Sequence, residues 1–296
     1  MSAAAPDEPR APSALLQVLD LEEIGEDRFR GRSPWATGRV YGGQAVGQAL
    51  VAAQRTTPRE RLAHSLHAYF ILAGDAAAPI DYTVERVRDG ASFTTRRVVA
   101  TQKERAIFSL EASFQIVEPG LEHAFPAPAA PPPESLPTTS ALAERFASFL
   151  PPMAAECIAR TAAVDIRFAD ANAYFSNTPQ APAQQFIWFR VVGALPDDDA
   201  THRSVLAYLS DMTLLNAALV VHGRSIFERD LQVASLDHAV WFHRPFRADE
   251  WLLYAQDSPT SAGARALTRG LVYAQDGRLV ASVAQEGLIR ERPARS

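Results

Sequence analysis

The order of elements is written twice along this chain, and that repetition limits the fold more than any other feature. In the first half, GGQAVGQALVAAQRT (Gly42 to Thr56) has helical periodicity and precedes strand-like runs at SLHAYFIL, PIDYTVERV, SFTTRRVVATQ and AIFSLEASFQIV. In the second half, an apolar segment around Asp211, YLSDMTLLNAAL and on to Val221, precedes LQVASLDHAVWF, EWLLYAQDS, ARALTRGLVYAQ and RLVASVAQEGLI. Words recur in the same order. Ser65-Leu66-His67-Ala68 resembles Ser235-Leu236-Asp237-His238-Ala239, and TRRVVATQ aligns with TRGLVYAQ at an offset of 173 residues (268 − 95). Self-similarity of this kind reads as a tandem duplication.

A helix that is apolar nearly all round has to be wrapped on most sides, and a curved antiparallel sheet does that. Each half therefore predicts a long apolar helix in a rolled sheet, and the whole chain an α+β double hot-dog. Asp276-Gly277 marks a hairpin between the last two strands. Between the halves, FPAPAAPPPESLPTTS (Phe125 to Ser140) contains six prolines, which remove backbone donors and forbid regular structure. The expected division is a first repeat over 1–124, a proline-rich linker with a connecting helix over 125–156, and a second repeat over 157–296.

A chain of 296 residues with 47% hydrophobic and 21% charged residues is globular in composition. Its net charge of −5 and pI near 5.8 give no basic footprint for nucleic acid or anionic lipid, which leaves small molecules and proteins as partners. The single cysteine, Cys157, cannot form an internal disulfide and suits a reducing compartment. It reads as a small buried hydrophobe rather than a nucleophile. The N-terminal stretch has acids where a signal peptide has a basic region, no run reaches the ~18 apolar residues of a membrane span, and the C-terminal Pro-Ala-Arg-Ser does not fit a peroxisomal S-K-L address. These readings place the protein in the cytoplasm. No GxSxG elbow, GxxxxGK[ST] phosphate loop or HExxH metal motif occurs, and no cofactor is expected. His238 and His243 bracket Trp241-Phe242 and read as packed or hydrogen-bonded rather than metal-ligating.

Asp211 is the anomaly in an otherwise apolar segment. The pattern predicts a buried helix from Asp211 to about Val221, stopped at Gly223, with the acid at its mouth. An acid there can cap orphan amides, worth on the order of 1 kcal/mol. Ser210 can take that cap instead, freeing the carboxylate for proton transfer beside amides that polarise a carbonyl. Taken alone, Ser235 reads as a strand hydroxyl on the Val233-Ser235-Asp237 face. Gln285, sharing a face with Ala281 and Val283, is a buried amide that must find partners.

The runs ERDLQVASLDHAVWFHRPFRADEWLLYAQDS and RGLVYAQDGRLVASVAQEGLIR resemble the acyl-CoA thioesterase II family, the TesB-type double hot-dog enzymes. GRVYGGQAVGQAL, HSLHAYFILAGD, YTVERVRDGASFTTRRVV and IFSLEASFQ carry the same resemblance in the first half. It implies hydrolysis of fatty acyl-CoA by water activated at an Asp, Ser and Gln of the second repeat: Asp211, Ser235 and Gln285. At the matching places in the first repeat stand Gly43, Ser65 and Ala112 or a near neighbour, which implies one site per chain and a degenerate first copy. Ile71-Leu72-Ala73 departs from the basic residue and proline that relatives commonly carry before Gly74-Asp75. Arg96, Arg97, Arg265 and Arg269 are candidates for the CoA phosphates, and a dimer or tetramer is expected. Two other readings remain: a non-catalytic acyl-CoA or lipid binder, and a hot-dog enoyl-CoA hydratase needing a helix histidine, for which His222 is the available residue.

Overall fold

A computed structural model describes residues 13–34, 38–146, 163–175, 178–179, 182–226, 228 and 230–292; Cys157 lies outside them. The first half contains β1 (Glu22–Gly25), β2 (Arg28–Gly31), β3 (Arg61–Phe70), β4 (Ile80–Asp89), β5 (Phe93–Gln102) and β6 (Arg105–Ile116). The second contains β7 (Val164–Phe168), β8 (Gln184–Val191), β9 (Leu231–Ser235), β10 (Asp237–Phe242), β11 (Leu252–Ala262), β12 (Arg265–Ala274) and β13 (Leu279–Glu291). The helices are α1 (Leu15–Leu19), α2 (Gly42–Arg55), α3 (Thr139–Arg145), α4 (Ala171–Phe175), α5 (Asp199–Ser210) and α6 (Asn216–Val220).

The strands form one antiparallel sheet in the order β1-β2-β4-β5-β6-β3-β10-β13-β12-β11-β8-β7, with β9 also on β13. Read inward from either edge, the order is the same, and the halves meet where β3 pairs with β10, from Tyr69 opposite Asp237 to Ser65 opposite Trp241. This is the expected double hot-dog. Every strand-like run of the sequence forms a strand, except that LQVASLDHAVWF breaks at Leu236 into β9 and β10. The Asp276-Gly277 turn is present, with Gly277 at φ +86°. Its N–H donates to Ala274 O at 2.9 Å, and the Ala274 N–H donates to Arg278 O at 2.9 Å. The edge pairs β1–β2 and β7–β8 are additions that the sequence reading did not place, although QQFIWFRV has the aromatic and β-branched content of a strand. The proline-rich segment lies along the outer sheet face: Ala127, Ala130 and Leu136 pack on Trp188, Trp251, Leu253 and Tyr273, and Trp188 Nε1 donates to Pro131 O at 2.9 Å.

Inside the sheet, α2 and α5 run antiparallel. A Cβ at Gly43 would stand 2.2 Å from Tyr208 O, and one at Gly47 3.1 Å from Ser204 O, so glycine is what lets these backbones touch. α2 is buried along nearly its whole length, as an apolar helix wrapped by a sheet should be.

The Asp211 segment departs from expectation. Asp211 does not open a helix; it is the C-cap of α5, at φ −83° and ψ −10°, and the short α6 starts only at Asn216. Hydroxyls from elsewhere explain the break. Tyr41 OH donates to Tyr208 O at 2.9 Å and Tyr254 OH to Ser210 O at 3.0 Å, taking the carbonyls that the next helical turn needs. Met212 N–H falls back to Leu209 O in a tighter turn. Ser210 is no N-cap: its hydroxyl donates to Ala207 O at 3.0 Å.

Strand register also corrects the repeat alignment. Tyr82 pairs with Ala100, and Tyr254 with Val272, so these buried tyrosines are counterparts at an offset of 172 (254 − 82). The matched words at 173 are thus one residue out, which on a strand exchanges the two faces. Arg96, opposite Ala112, corresponds to Thr268, opposite Gln285. Arg96 is 1% exposed. Its guanidinium donates to Thr56 Oγ1 (3.0 Å), Thr56 O (2.9 Å), Asp89 Oδ1 (2.7 Å), Arg88 O (3.2 Å) and Thr95 O (3.1 Å). Replacing Arg96 by alanine opens a cavity and strands the Thr56 carbonyl, and is expected to lower the unfolding free energy by about 3 kcal/mol. Urea unfolding followed by circular dichroism measures the loss.

Candidate active site

Asp211, Ser235 and Gln285 converge although 24 and 74 positions separate the acid from the other two. Ser235 Oγ donates to Asp211 Oδ1 at 3.0 Å, and Gln285 Nε2 donates to the same oxygen at 2.5 Å. Ser235 ends β9 opposite Gly287, just before the strand breaks at Leu236. Gln285 is fully buried on the inner face of β13, and its backbone carbonyl accepts from Thr268 Oγ1 at 3.1 Å. A third donor comes from the other half of the molecule: the backbone N–H of Gly43, in the first turn of α2, also bonds the carboxylate. A Cβ at Gly42 would stand 2.6 Å from Asp211 Oδ2, so that oxygen lies against the start of α2.

Burial pushes the Asp211 carboxyl up to about 6, while the bonds from Gln285, Ser235 and Gly43 pull it down. Burial wins. The supports behind the acid are themselves buried. His238, 1% exposed and pushed down to about 3 by burial, is neutral. With the Ser210 hydroxyl proton on Ala207 O, His238 Nε2–H donates to Ser210 Oγ at 2.7 Å. Tyr41, Tyr254 and His238 thus hold the last turn of α5 from three sides. Single-sequence reasoning passed over Tyr41, Tyr254 and the Gly43 amide. A Gly-Gly pair opening a helix without a side-chain cap was the available signal, because it leaves N–H donors for another group.

The first-repeat counterparts differ from expectation in two of three places. Ala63 opposite Phe114, before the irregularity at His64, matches Ser235 opposite Gly287, so Ser235 answers to Ala63 and not Ser65. Gln285 answers to Ala112, as expected. Gly43 is not the counterpart of Asp211 but its partner across the helix pair; the position equivalent to Asp211 is Thr56, the C-cap of α2. Arg96 fills the space beside it.

The arginine candidates are engaged. Arg96 is sealed inside the first half, Arg97 lies 3.8 Å from Glu85, Arg265 2.9 Å from Glu286, and Arg269 2.8 Å from Asp257. His222 lines a separate surface cavity with Leu219 and Arg224, and Asp211 is not in that lining. His243 Nε2 meets Ser282 Oγ at 2.8 Å. Among the described residues, no group of three or more His, Cys, Asp or Glu is arranged to hold a metal ion, and no helix is long and apolar enough to cross a membrane.

Comparison with known proteins gives the relationship. Residues 160–288 match the acyl-CoA thioesterase family and residues 31–115 its N-terminal domain. The chain belongs to the acyl-CoA thioesterase family. It is 42% identical to acyl-coenzyme A thioesterase 8 of Rattus norvegicus over 94% of this chain and 89% of that one. With acyl-CoA thioesterase 2 of Haemophilus influenzae the identity is 39%, over 93% and 96%. The crystal structure of acyl-CoA thioesterase II TesB2 from Mycobacterium marinum superposes with a TM-score of 0.77 at 44% identity, covering 95% of this chain and all of that one.

The raised carboxyl has a consequence for stability. In the unfolded chain Asp211 ionises near 3.8, in the fold near 6. Between these values the unfolded chain has lost a proton that the native state keeps, so stability falls as pH rises through the window and stays reduced above it. The difference corresponds to on the order of 3 kcal/mol. Asp211→Asn is therefore expected to be more stable than the parent at pH 8, with the gap closing below about pH 4. Urea midpoints of both proteins across that range test the sign.

Proposed function

We propose that the protein hydrolyses fatty acyl-CoA to free fatty acid and CoA, with Asp211 as general base and Ser235 and Gln285 as its supports. The convergence of both side-chain donors on one oxygen of a buried carboxylate carries this reading. With Oδ1 occupied, Oδ2 is the oxygen left to take a proton from water. Gln285 Oε1, buried and without a hydrogen-bond partner in the protein, can accept the second water proton. The water oxygen attacks the thioester carbonyl carbon as its proton passes to Asp211; the tetrahedral intermediate then expels CoA thiolate, which takes the proton back. The N–H of Gly42, in the first turn at the positive end of α2, is the candidate donor to the developing oxyanion in this scheme. The reading also places the enzyme in the cytoplasm as a homo-oligomer, with the outermost strands β1 and β7 offering edges for assembly. Sedimentation at micromolar concentration tests that, and a monomer would end it.

Thiol release from medium and long acyl-CoAs is the direct measurement. Asp211→Asn is expected to lower kcat by about 10²–10⁴-fold, with smaller losses for Ser235→Ala and Gln285→Ala. In the parent, kcat/KM should rise with pH and level off above an apparent pKa near 6, since the ionised form is the base. A folded parent as inert as Asp211→Asn at every chain length would favour the non-catalytic binder.

A further inference from the structure

The inner face of the second repeat carries more buried amide than the hydrolytic scheme uses. Among the described residues, Asn216, 2% exposed, has no hydrogen-bond partner at either amide atom; Gln256, 1% exposed, has none at Oε1; Gln185, 7% exposed, has none at either. They adjoin one another. Gln256 and Gln185 are directly paired on β11 and β8, both on the inner face. Gln256 Nε2 donates to Thr213 Oγ1 at 2.6 Å, two residues after Asp211. Asn216 N–H bonds Thr213 O, a tight turn that stacks positions 213 and 216 on one side. Gln185 also lines a cavity of about 360 Å³ whose wall is mostly apolar, with Phe168, Tyr174, Pro182 and Ile187, and carries the polar Asp170 and Gln184.

The fold does not require an amide at position 256. In the first repeat the position of Gln256 is held by Val84, which pairs with Val98 as Gln256 pairs with Gly270. A buried unpartnered amide costs about 1–3 kcal/mol, so several together in a sheet-wrapped interior point to a ligand that satisfies them. Among the described residues no buried cation joins the row; its donors and acceptors are neutral, which suits a hydroxyl or oxo group and not a carboxylate. Two inter-strand spacings separate β11 from β13, placing the row roughly 10 Å from the strand of Gln285.

Resting on the proposed hydrolysis, we propose that this row is a specificity site for an acyl group bearing a neutral polar substituent, a hydroxyl or oxo, part-way along its chain, with the apolar end in the cavity beyond Gln185. The test compares unsubstituted medium-chain acyl-CoA with a positional series of monohydroxyacyl-CoAs of equal length. At one mid-chain position kcat/KM is expected to exceed the unsubstituted value by tenfold or more, and Asn216→Leu and Gln256→Leu to remove that preference. Asn216→Leu should melt at or above the parent temperature, because it replaces an unpaired buried amide with an apolar group, whereas Gln256→Leu also gives up the bond to Thr213 Oγ1 and should melt slightly lower. Calorimetric titration of the same CoA esters into Asp211→Asn reads the site without turnover. A parent that hydrolyses nothing while this variant binds hydroxyacyl-CoA tenfold more tightly sinks the hydrolysis and keeps the site. Equal handling of all chains, or a clear fall in melting temperature in Asn216→Leu, overturns it.

Discussion

A carboxylate held away from water where two antiparallel helices meet sets the terms for everything around it. Desolvating Asp211 is unfavourable, and three donors converge on it in partial compensation. Two are side chains of the second repeat, and the third is a backbone amide that reaches the acid only because Gly42 and Gly43 have no Cβ to strike Asp211 or Tyr208. The break in the helix after Ser210 belongs to the same arrangement: tyrosine hydroxyls draw off the carbonyls, and the chain turns so that the acid faces α2.

The two ends of this helix pair show how one frame supports opposite chemistry. At one end stand Asp211, Ser235, Gln285 and Thr268; at the other, Thr56, Ala63, Ala112 and Arg96. The second set has neither acid nor side-chain amide. A guanidinium with its donors fully engaged occupies the space instead, and Arg203 Nη1, also buried, donates to Ala63 O at 2.5 Å. The first half contributes packing here and the Gly43 amide at the other end.

Much of this was written plainly in the chain. Hydrophobic periodicity marked α2 and the strands that carry most of the sheet, and Asp276-Gly277 marked its turn, because these signals are local. The edge strands β1, β2, β7 and β8 were not placed, being short or bounded by loops without strong turn signals. Asp211, Ser235 and Gln285 were reached through a family resemblance; spacing alone left each with an ordinary structural reading. Register could not be read at all. TRRVVATQ and TRGLVYAQ agree at four of eight letters at the wrong parity, and only the hydrogen-bond ladders show that Tyr82 answers to Tyr254. Helix breaks set by remote hydroxyls are invisible for the same reason: their cause lies 44 and 167 residues away.

The amide that the first half lends to Asp211 bears on why the halves are joined in one polypeptide. Two copies of the latter half, paired as the halves pair here, would set the beginning of a second α5 where α2 now begins. That beginning is Asp198-Asp199, so each Asp211 would face the acids of its neighbour in place of Gly42-Gly43. Fusion removes this clash, since it forces unlike partners together at a fixed ratio.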